Sequence, residues 1–246
     1  ADLLAGATGL GLNFALLRYV PTRSNPREAA ADLWSSMLVC WAMSMPLIGI
    51  GLVADEWLAH TFLGGATQAF AVRLALVLIP ISGSLNLVLS YLRGAGQAAA
   101  HTSLVALETG GWLALAATVF YLGGELRAMI VGLLAVKALT LAGGTIFVLW
   151  RSGISYPPIA KIATCLRYGL PLLPLGLLQW VINASDRYFL AYFCEPEIVG
   201  IYSVSYSLGS IAGLAYAPIF FGLVPATSAA WNAGRSAEVL EYLRFA

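Results

Sequence analysis

Long apolar runs are the feature that most constrains the fold of this chain. Each run has about 20 residues with few charges, and a helix of roughly 20 residues crosses a bilayer core of about 30 Å. The runs are too long for strands and lack the alternation of period two that barrel strands show. They are Leu3–Tyr19, Leu33–Val53, Phe70–Leu92, Thr102–Tyr121, Met129–Trp150, Tyr168–Phe193 and Val199–Val224. We therefore predict an all-α integral membrane protein, a polytopic bundle of about seven transmembrane helices.

Composition supports a membrane protein. The chain is 60% hydrophobic and 10% charged, with a mean hydropathy of +0.83, whereas soluble domains are about 45–50% apolar and about 25% charged. The net charge is +1, and no basic patch with interleaved aromatic residues indicates nucleic-acid binding. The spacing of Cys40, Cys165 and Cys194 matches neither a zinc site nor a disulfide framework. We interpret these cysteines as small apolar residues.

The distribution of basic residues orients the runs. Nine of the 13 Lys and Arg residues fall in four joints. The three joints between them contain one basic residue, Arg127. The basic joints are 18–32, 93–100, 151–167 and 227–246. The other joints, 54–69, 122–128 and 194–198, carry Asp55, Glu56, Glu125, Glu195 and Glu197. By the positive-inside rule the basic joints are cytoplasmic, so the first run starts on the outer side. We therefore expect the chain to be a fragment that lacks a preceding helix.

A weak internal repeat indicates two lobes. Pro21 follows the first run and Pro225 follows the seventh, and 225 minus 21 is 204. Each proline is preceded by Val and followed by Asn, Arg and Ala in the same order, in a short amphipathic segment. The copies run in the same direction, as in parallel repeats related by an axis along the membrane normal. We predict a first lobe at 1–150, a cytoplasmic inter-lobe linker at 151–167 and the start of a second lobe at 168–246.

The sixth and seventh runs contain a pattern that resembles a known family. The pattern is Arg167-Tyr168-Gly169-Leu170-Pro171, then Ser185-Asp186-Arg187, then Gly200-Ile201-Tyr202-Ser203. In this order and spacing it is similar to the polysaccharide flippases of the multidrug/oligosaccharidyl-lipid/polysaccharide exporter superfamily. In that family Leu-Pro opens the seventh helix, Asp-Arg lies toward its far end, and Gly-x-Tyr-Ser opens the eighth. The resemblance implies a two-lobe inverted-V transporter fold, of which this chain would hold helices two to eight.

The resemblance also implies a function. A protein of this kind would flip a polyprenyl-diphosphate-linked oligosaccharide across the inner (cytoplasmic) membrane by alternating access, for polysaccharide biosynthesis. Its partners would be that lipid-linked oligosaccharide, the lipid bilayer, and a polysaccharide polymerase with its export machinery. We expect no cofactor beyond a coupling H⁺ or Na⁺, and neither a catalytic set nor a metal site.

Two alternatives remain open. One is a multidrug/cation antiporter of the same superfamily, which the intramembrane cations Arg73, Lys137 and Arg187 disfavour. The other is a membrane-embedded polyprenyl-linked glycosyltransferase or polymerase. Such enzymes carry a large polar loop with clustered Asp, Arg or His, and the joints of this chain are short.

Charged residues at membrane depth are the candidate site residues. Glu108 lies 15 residues before Gly123, and Lys137 lies 14 residues after it. On antiparallel helices with a rise of about 1.5 Å per residue, both lie at nearly the same depth, which predicts an ion pair. The pair would either neutralise two buried charges or face a central cavity. In the cavity Lys137 would attract a lipid diphosphate, or Glu108 would take up a coupling proton.

The other candidates lie near the predicted outer side. Arg73 would either extend to the outer headgroups or line the mouth of the cavity. Asp186 and Arg187 point about 100° apart on a helix, so at least one must face protein or water. The resemblance makes this Asp-Arg pair a family hallmark. Asn183 lies one turn before it and would share its face.

Overall fold

The computed structural model describes residues 2–23, 25–63, 65, 69–123, 126–155, 159–210 and 217–245. Every regular element in these ranges is helical. The α-helices are α1 (Asp2–Thr8), α2 (Leu12–Tyr19), α3 (Pro26–Val53), α4 (Asp55–Leu63), α5 (Ala69–Gly94), α6 (Ala98–Tyr121), α7 (Leu126–Ser152), α8 (Ile159–Gly169), α9 (Leu173–Phe193), α10 (Pro196–Ser210), α11 (Ala217–Asn232) and α12 (Ser236–Phe245). The predicted all-α class is confirmed.

The described helices include continuous stretches that can cross a membrane. They are α3, α5, α6, α7 and the stretch Ile162–Phe193, which joins the end of α8 to α9. The first and seventh predicted runs are not single described helices. Run one is divided between α1 and α2, and run seven between α10 and α11, with residues 211–216 outside the described residues. The chain is thus a multi-pass membrane protein.

The break in the first run has a backbone cause. Leu10 and Gly11 adopt positive φ angles of 47° and 69°, which end α1 and restart the chain as α2. A left-handed conformation costs a glycine almost nothing, and an L-residue at such a position is unusual. The break brings the Gly11 backbone against Gly169, where a methyl group on either glycine would overlap the other backbone. This contact joins the start of α2 to the end of α8.

Helix α3 begins seven residues before the apolar run that predicted it. The Asn25 side chain accepts a hydrogen bond of 2.9 Å from the Arg27 N–H, and Pro26 occupies the first helical position. Both features favour a helix start. The amphipathic segment predicted after Pro21 therefore forms the first turns of a membrane-spanning helix.

Helix α5 lies at the centre of the bundle and packs against α1, α2, α3, α4, α6 and α7. Its small residues permit close approach, since a methyl group on Gly83 would lie 2.6 Å from the Cys40 sulfur on α3. The core includes Leu12, Leu16, Leu33, Leu87 and Val88, all almost fully buried. Helix α6, in contrast, has no buried residue and packs mainly on α7. Its remaining surface is available to lipid.

The predicted linker at 151–167 contains most of helix α8, which ends at Gly169. This helix packs along α2, and a 3-10 turn at Leu170–Leu172 connects it to α9. Pro171 lies in that turn, at the position where the Leu-Pro motif precedes the long helix. The structure therefore attaches the predicted linker closely to the start of the chain.

The repeat does not hold at its second proline. Pro21 lies in a 3-10 turn that follows α2, but Pro225 lies inside α11, which continues to Asn232. Gly234, with φ of 73°, then separates α11 from α12. In both copies a helix of the apolar run is followed by another helix, but the breaks fall at different positions.

Candidate functional site

A cleft with four amide side chains in an otherwise largely apolar lining lies between α1, α2, α5 and α9, beside the break at Gly11. Its volume is about 340 Å³. Its lining includes the amide side chains of Asn13, Asn86, Gln179 and Asn183 and the backbone of Gly6 and Gly176. The α9 members are spaced three or four residues apart, which places them on one helix face. The predicted candidate Asn183 therefore lines a cleft between the first helices and α9.

The cleft is chemically neutral. Each carboxamide offers two N–H donors and a carbonyl acceptor, without charge. The described residues that line the cleft include no Asp, Glu, Lys or Arg. A methyl group on Gly6 or Gly176 would meet no atom within 4 Å, so a ligand could approach the backbone closely there. Such a lining suits a neutral ligand rich in hydroxyl groups.

One turn beyond Asn183, the Asp-Arg pair docks on α10. The Tyr202 hydroxyl donates a 2.5 Å hydrogen bond to the Asp186 carboxylate, which also accepts from the Arg187 N–H. The Arg187 guanidinium lies 4.8 Å from the ring centroid of Tyr206, one turn after Tyr202. A cation at this distance from a ring is attracted to its face. These bonds form the α9–α10 contact, which joins two motifs of the predicted family pattern.

The predicted Glu108–Lys137 ion pair is confirmed. The Lys137 ammonium nitrogen lies 3.0 Å from a Glu108 carboxylate oxygen, between α6 and α7. The two side chains are 15% and 27% exposed, respectively. Neither residue lines the amide cleft. The pair therefore neutralises two charges within the α6–α7 hairpin.

Arg73, near the N-terminal end of α5, pairs with Asp55. Its Nε donates to a carboxylate oxygen of Asp55, the first residue of α4. The hydrogen bond from Arg73 lowers the pKa of the Asp55 carboxyl, and burial opposes this shift. The Arg73 side chain is 57% exposed, whereas Asp55 is buried. Arg73 thus ties α4 to α5 and does not line the cleft.

Besides the Gly11–Gly169 contact, a second contact joins the early and late helices. Helix α11 packs against α2 and the following turn, beside a cavity of about 330 Å³. Arg18 and Trp231 are among the lining residues. The Arg18 guanidinium lies 4.6 Å from the Tyr168 ring centroid. This contact lies at the end of the bundle predicted to be cytoplasmic.

Three cleft residues, and the tyrosines Tyr202 and Tyr206 that bind the Asp-Arg pair, were not predicted as site residues from the sequence. Asn13, Asn86 and Gln179 are neutral, and the search for charges at membrane depth passed over them. Their signal was present, because each is an amide within or beside an apolar run. Tyr202 belongs to the Gly-x-Tyr-Ser motif, but its partner depends on the rotation of α10.

Comparison with known proteins gives two matches. A family model described as "polysaccharide biosynthesis protein" matches residues 1–231. The fold is similar to a crystal structure of a MATE protein in the straight conformation, with a TM-score of 0.65 and 18% sequence identity. That alignment covers 98% of this chain and 56% of the MATE chain, so this chain spans little more than half of it. No curated protein sequence matches the chain.

Proposed function

We propose, from the premise that this chain belongs to the polysaccharide biosynthesis protein family, that it forms part of an exporter of lipid-linked oligosaccharide. The exporter would move a polyprenyl-diphosphate-linked oligosaccharide from the cytoplasmic to the outer leaflet of the inner membrane. The observation that supports this most is the amide cleft between the first helices and α9. Sugar hydroxyls both donate and accept hydrogen bonds, and the four amides can serve both roles.

Alternating access would use two contacts, one between the early and late helices and one between α9 and α10. The packing of α11 against α2 lies at the predicted cytoplasmic end. In the proposed cycle this contact separates to admit the sugar from the cytoplasm and re-forms to close that side. The α9–α10 contact would keep these two helices together while the cleft opens and closes. The polyprenyl chain would stay in lipid, because exposing its apolar surface to water is unfavourable.

The cleft gives a sharp test, since Gly176 lines it and has open space at its Cβ position. We expect Gly176→Phe, whose Cβ meets no atom within 4 Å, to place an aromatic ring in the cleft and to reduce flipping by the full-length protein in proteoliposomes at least about tenfold. The assay follows a fluorescent lipid-linked oligosaccharide as it becomes accessible on the far leaflet. Gly110→Phe is the matched control, because Gly110 is also helical with open space but lies outside the cleft lining.

The outcomes separate the candidate functions. Loss of flipping in Gly176→Phe alone supports the proposal. If the unmodified protein moves no lipid-linked sugar but exports a small organic cation, the antiporter is the better account. If Gly176→Phe flips as fast as Gly110→Phe, the cleft is not on the substrate path.

A further inference from the structure

A separate cavity lies at the C-terminal end of α5, opposite the end where Arg73 bonds Asp55. Its volume is about 240 Å³. It is lined by the turn after α2, the start of α3, the last turns of α5 and α7 and the residues just after α5. The Trp34 indole donates a 3.0 Å hydrogen bond to the Gly153 carbonyl, which fixes α3 to the end of α7 beside it. Many of the lining residues come from three joints that the sequence placed on the cytoplasmic side, and the structure brings them to one end of the bundle.

The cavity is cationic. Arg23 and Arg151 both line it, and no described lining residue is a carboxylate. The Arg23 Nε donates a 2.8 Å hydrogen bond to the Asp32 carboxylate, and the Asp32 side chain is only 1% exposed. The described lining therefore carries two guanidinium groups and no carboxylate, while Asp32 is bonded to Arg23 from behind and Glu28 lies near enough to act on Arg23 electrostatically. The Asp32 bond also fixes the orientation of Arg23, whose guanidinium carries five N–H donors in all. Arg151 lies in the last turn of α7 and is exposed.

Two buried hydroxyl groups also face this cavity. Tyr91 and Ser152 line it, and both residues are about 5–6% exposed. Their oxygens lie 3.5 Å apart, whereas a good hydroxyl–hydroxyl hydrogen bond measures about 2.7–2.8 Å. Their mutual contact is weak, so both hydroxyls can donate to an anion. Gln97 adds an amide donor on the same wall.

We propose that this cavity binds the phosphate group of an anionic phospholipid. Arginine guanidinium groups bind phosphate oxygens in a bidentate manner, and the hydroxyls would complete the donor set. The cavity lies at the ends of membrane-spanning helices, where lipid headgroups are expected. Its apolar wall, which includes Val20 and Phe147, would adjoin the glycerol and acyl region. Basic cavities between helices on this side of a membrane are suited to anionic headgroups. The inference does not depend on the transported substrate.

Native mass spectrometry of the full-length protein tests the site. The probe is phosphatidylglycerol added to protein in neutral detergent, with phosphatidylcholine and inorganic phosphate in parallel. We expect one tightly retained phosphatidylglycerol and weaker retention of phosphatidylcholine. Arg151→Gln should weaken phosphatidylglycerol binding roughly tenfold, since a charge-assisted hydrogen bond is lost. Tyr91→Phe should weaken it less. The matched control Arg235→Gln, an exposed arginine paired with Glu238 outside this cavity, should bind as the unmodified protein does.

Three results would overturn the proposal. The first is equal binding by Arg151→Gln and Arg235→Gln. The second is equal retention of phosphatidylcholine and phosphatidylglycerol. The third is displacement of phosphatidylglycerol by an equal concentration of inorganic phosphate, which would identify a site for free phosphate.

Discussion

Removing one member of the Glu108–Lys137 pair should destabilise the α6–α7 hairpin. Lys137→Met leaves the Glu108 carboxylate beside lipid, 3.0 Å from the site of its former partner. Leaving one buried charge unpaired costs about 3–5 kcal/mol, and an isolated charge at the centre of a membrane helix costs about 2.5–3.5 kcal/mol. Because the side chains are 15% and 27% exposed, we take the low end, about 3 kcal/mol.

A double-mutant cycle of Lys137→Met, Glu108→Gln and the double variant measures this magnitude. The free energy of unfolding is followed by titrating the protein with denaturing detergent in mixed micelles. The double variant Glu108→Gln/Lys137→Met carries no charge, and we expect it to recover most of the loss, within about 1 kcal/mol of the unmodified protein. Flipping by the double variant should stay within about twofold of normal.

Two outcomes would refute this reasoning. A loss below about 0.5 kcal/mol in Lys137→Met would mean that the pair contributes little. A double variant that is stable but no longer flips substrate would show that the charges act in transport. The cycle therefore separates the two interpretations of this pair that the sequence left open.

Three further predictions follow from particular contacts. Tyr202→Phe removes the hydrogen bond between α9 and α10, so the distance distribution between spin labels on these helices should broaden. Asp55 has a lowered pKa, so its bond to Arg73 stabilises the fold above about pH 4 and is lost as the pH falls through the folded-state pKa. The stability difference between Arg73→Gln and the unmodified protein should thus vanish in acid. Gly11→Ala should destabilise the protein by more than about 1 kcal/mol, whereas Gly49→Ala, in an open helical position, should be neutral or stabilising by thermal denaturation.

The sequence predicted most of what depends on local periodicity. Apolar length located the membrane helices, and counting residues from Gly123 located the Glu108–Lys137 pair, because depth on two antiparallel helices is fixed by the helical rise. The family and the fold of the predicted superfamily are confirmed by the comparisons. The motif around Asp186 was identified, but its bond to Tyr202 depends on how α10 is rotated, which sequence spacing does not determine.

A central cavity and Asn183 were predicted, but the amide lining of the cleft was not, because it depends on tertiary packing. Its amides come from α2, α5 and α9, so no single stretch of sequence shows them together. The break at Gly11 was also missed, since Leu3–Tyr19 is apolar throughout and only the backbone angles interrupt it. The seven extra residues of α3 were missed for the opposite reason, because capping extended a helix into a polar segment.

Charge pairing explains why the cleft is neutral although the chain has cations at membrane depth. Lys137 and Arg73 each bond a carboxylate within the first 150 residues, and Arg187 lies over Tyr206 on α10. An unpaired cation in the cleft would be desolvated whenever a neutral substrate displaced the water around it, at a cost of several kcal/mol. Amides avoid that cost, because their hydrogen-bonding groups can be satisfied by water between substrates. In the proposed function this favours recognition of the oligosaccharide through its hydroxyl groups in the cleft.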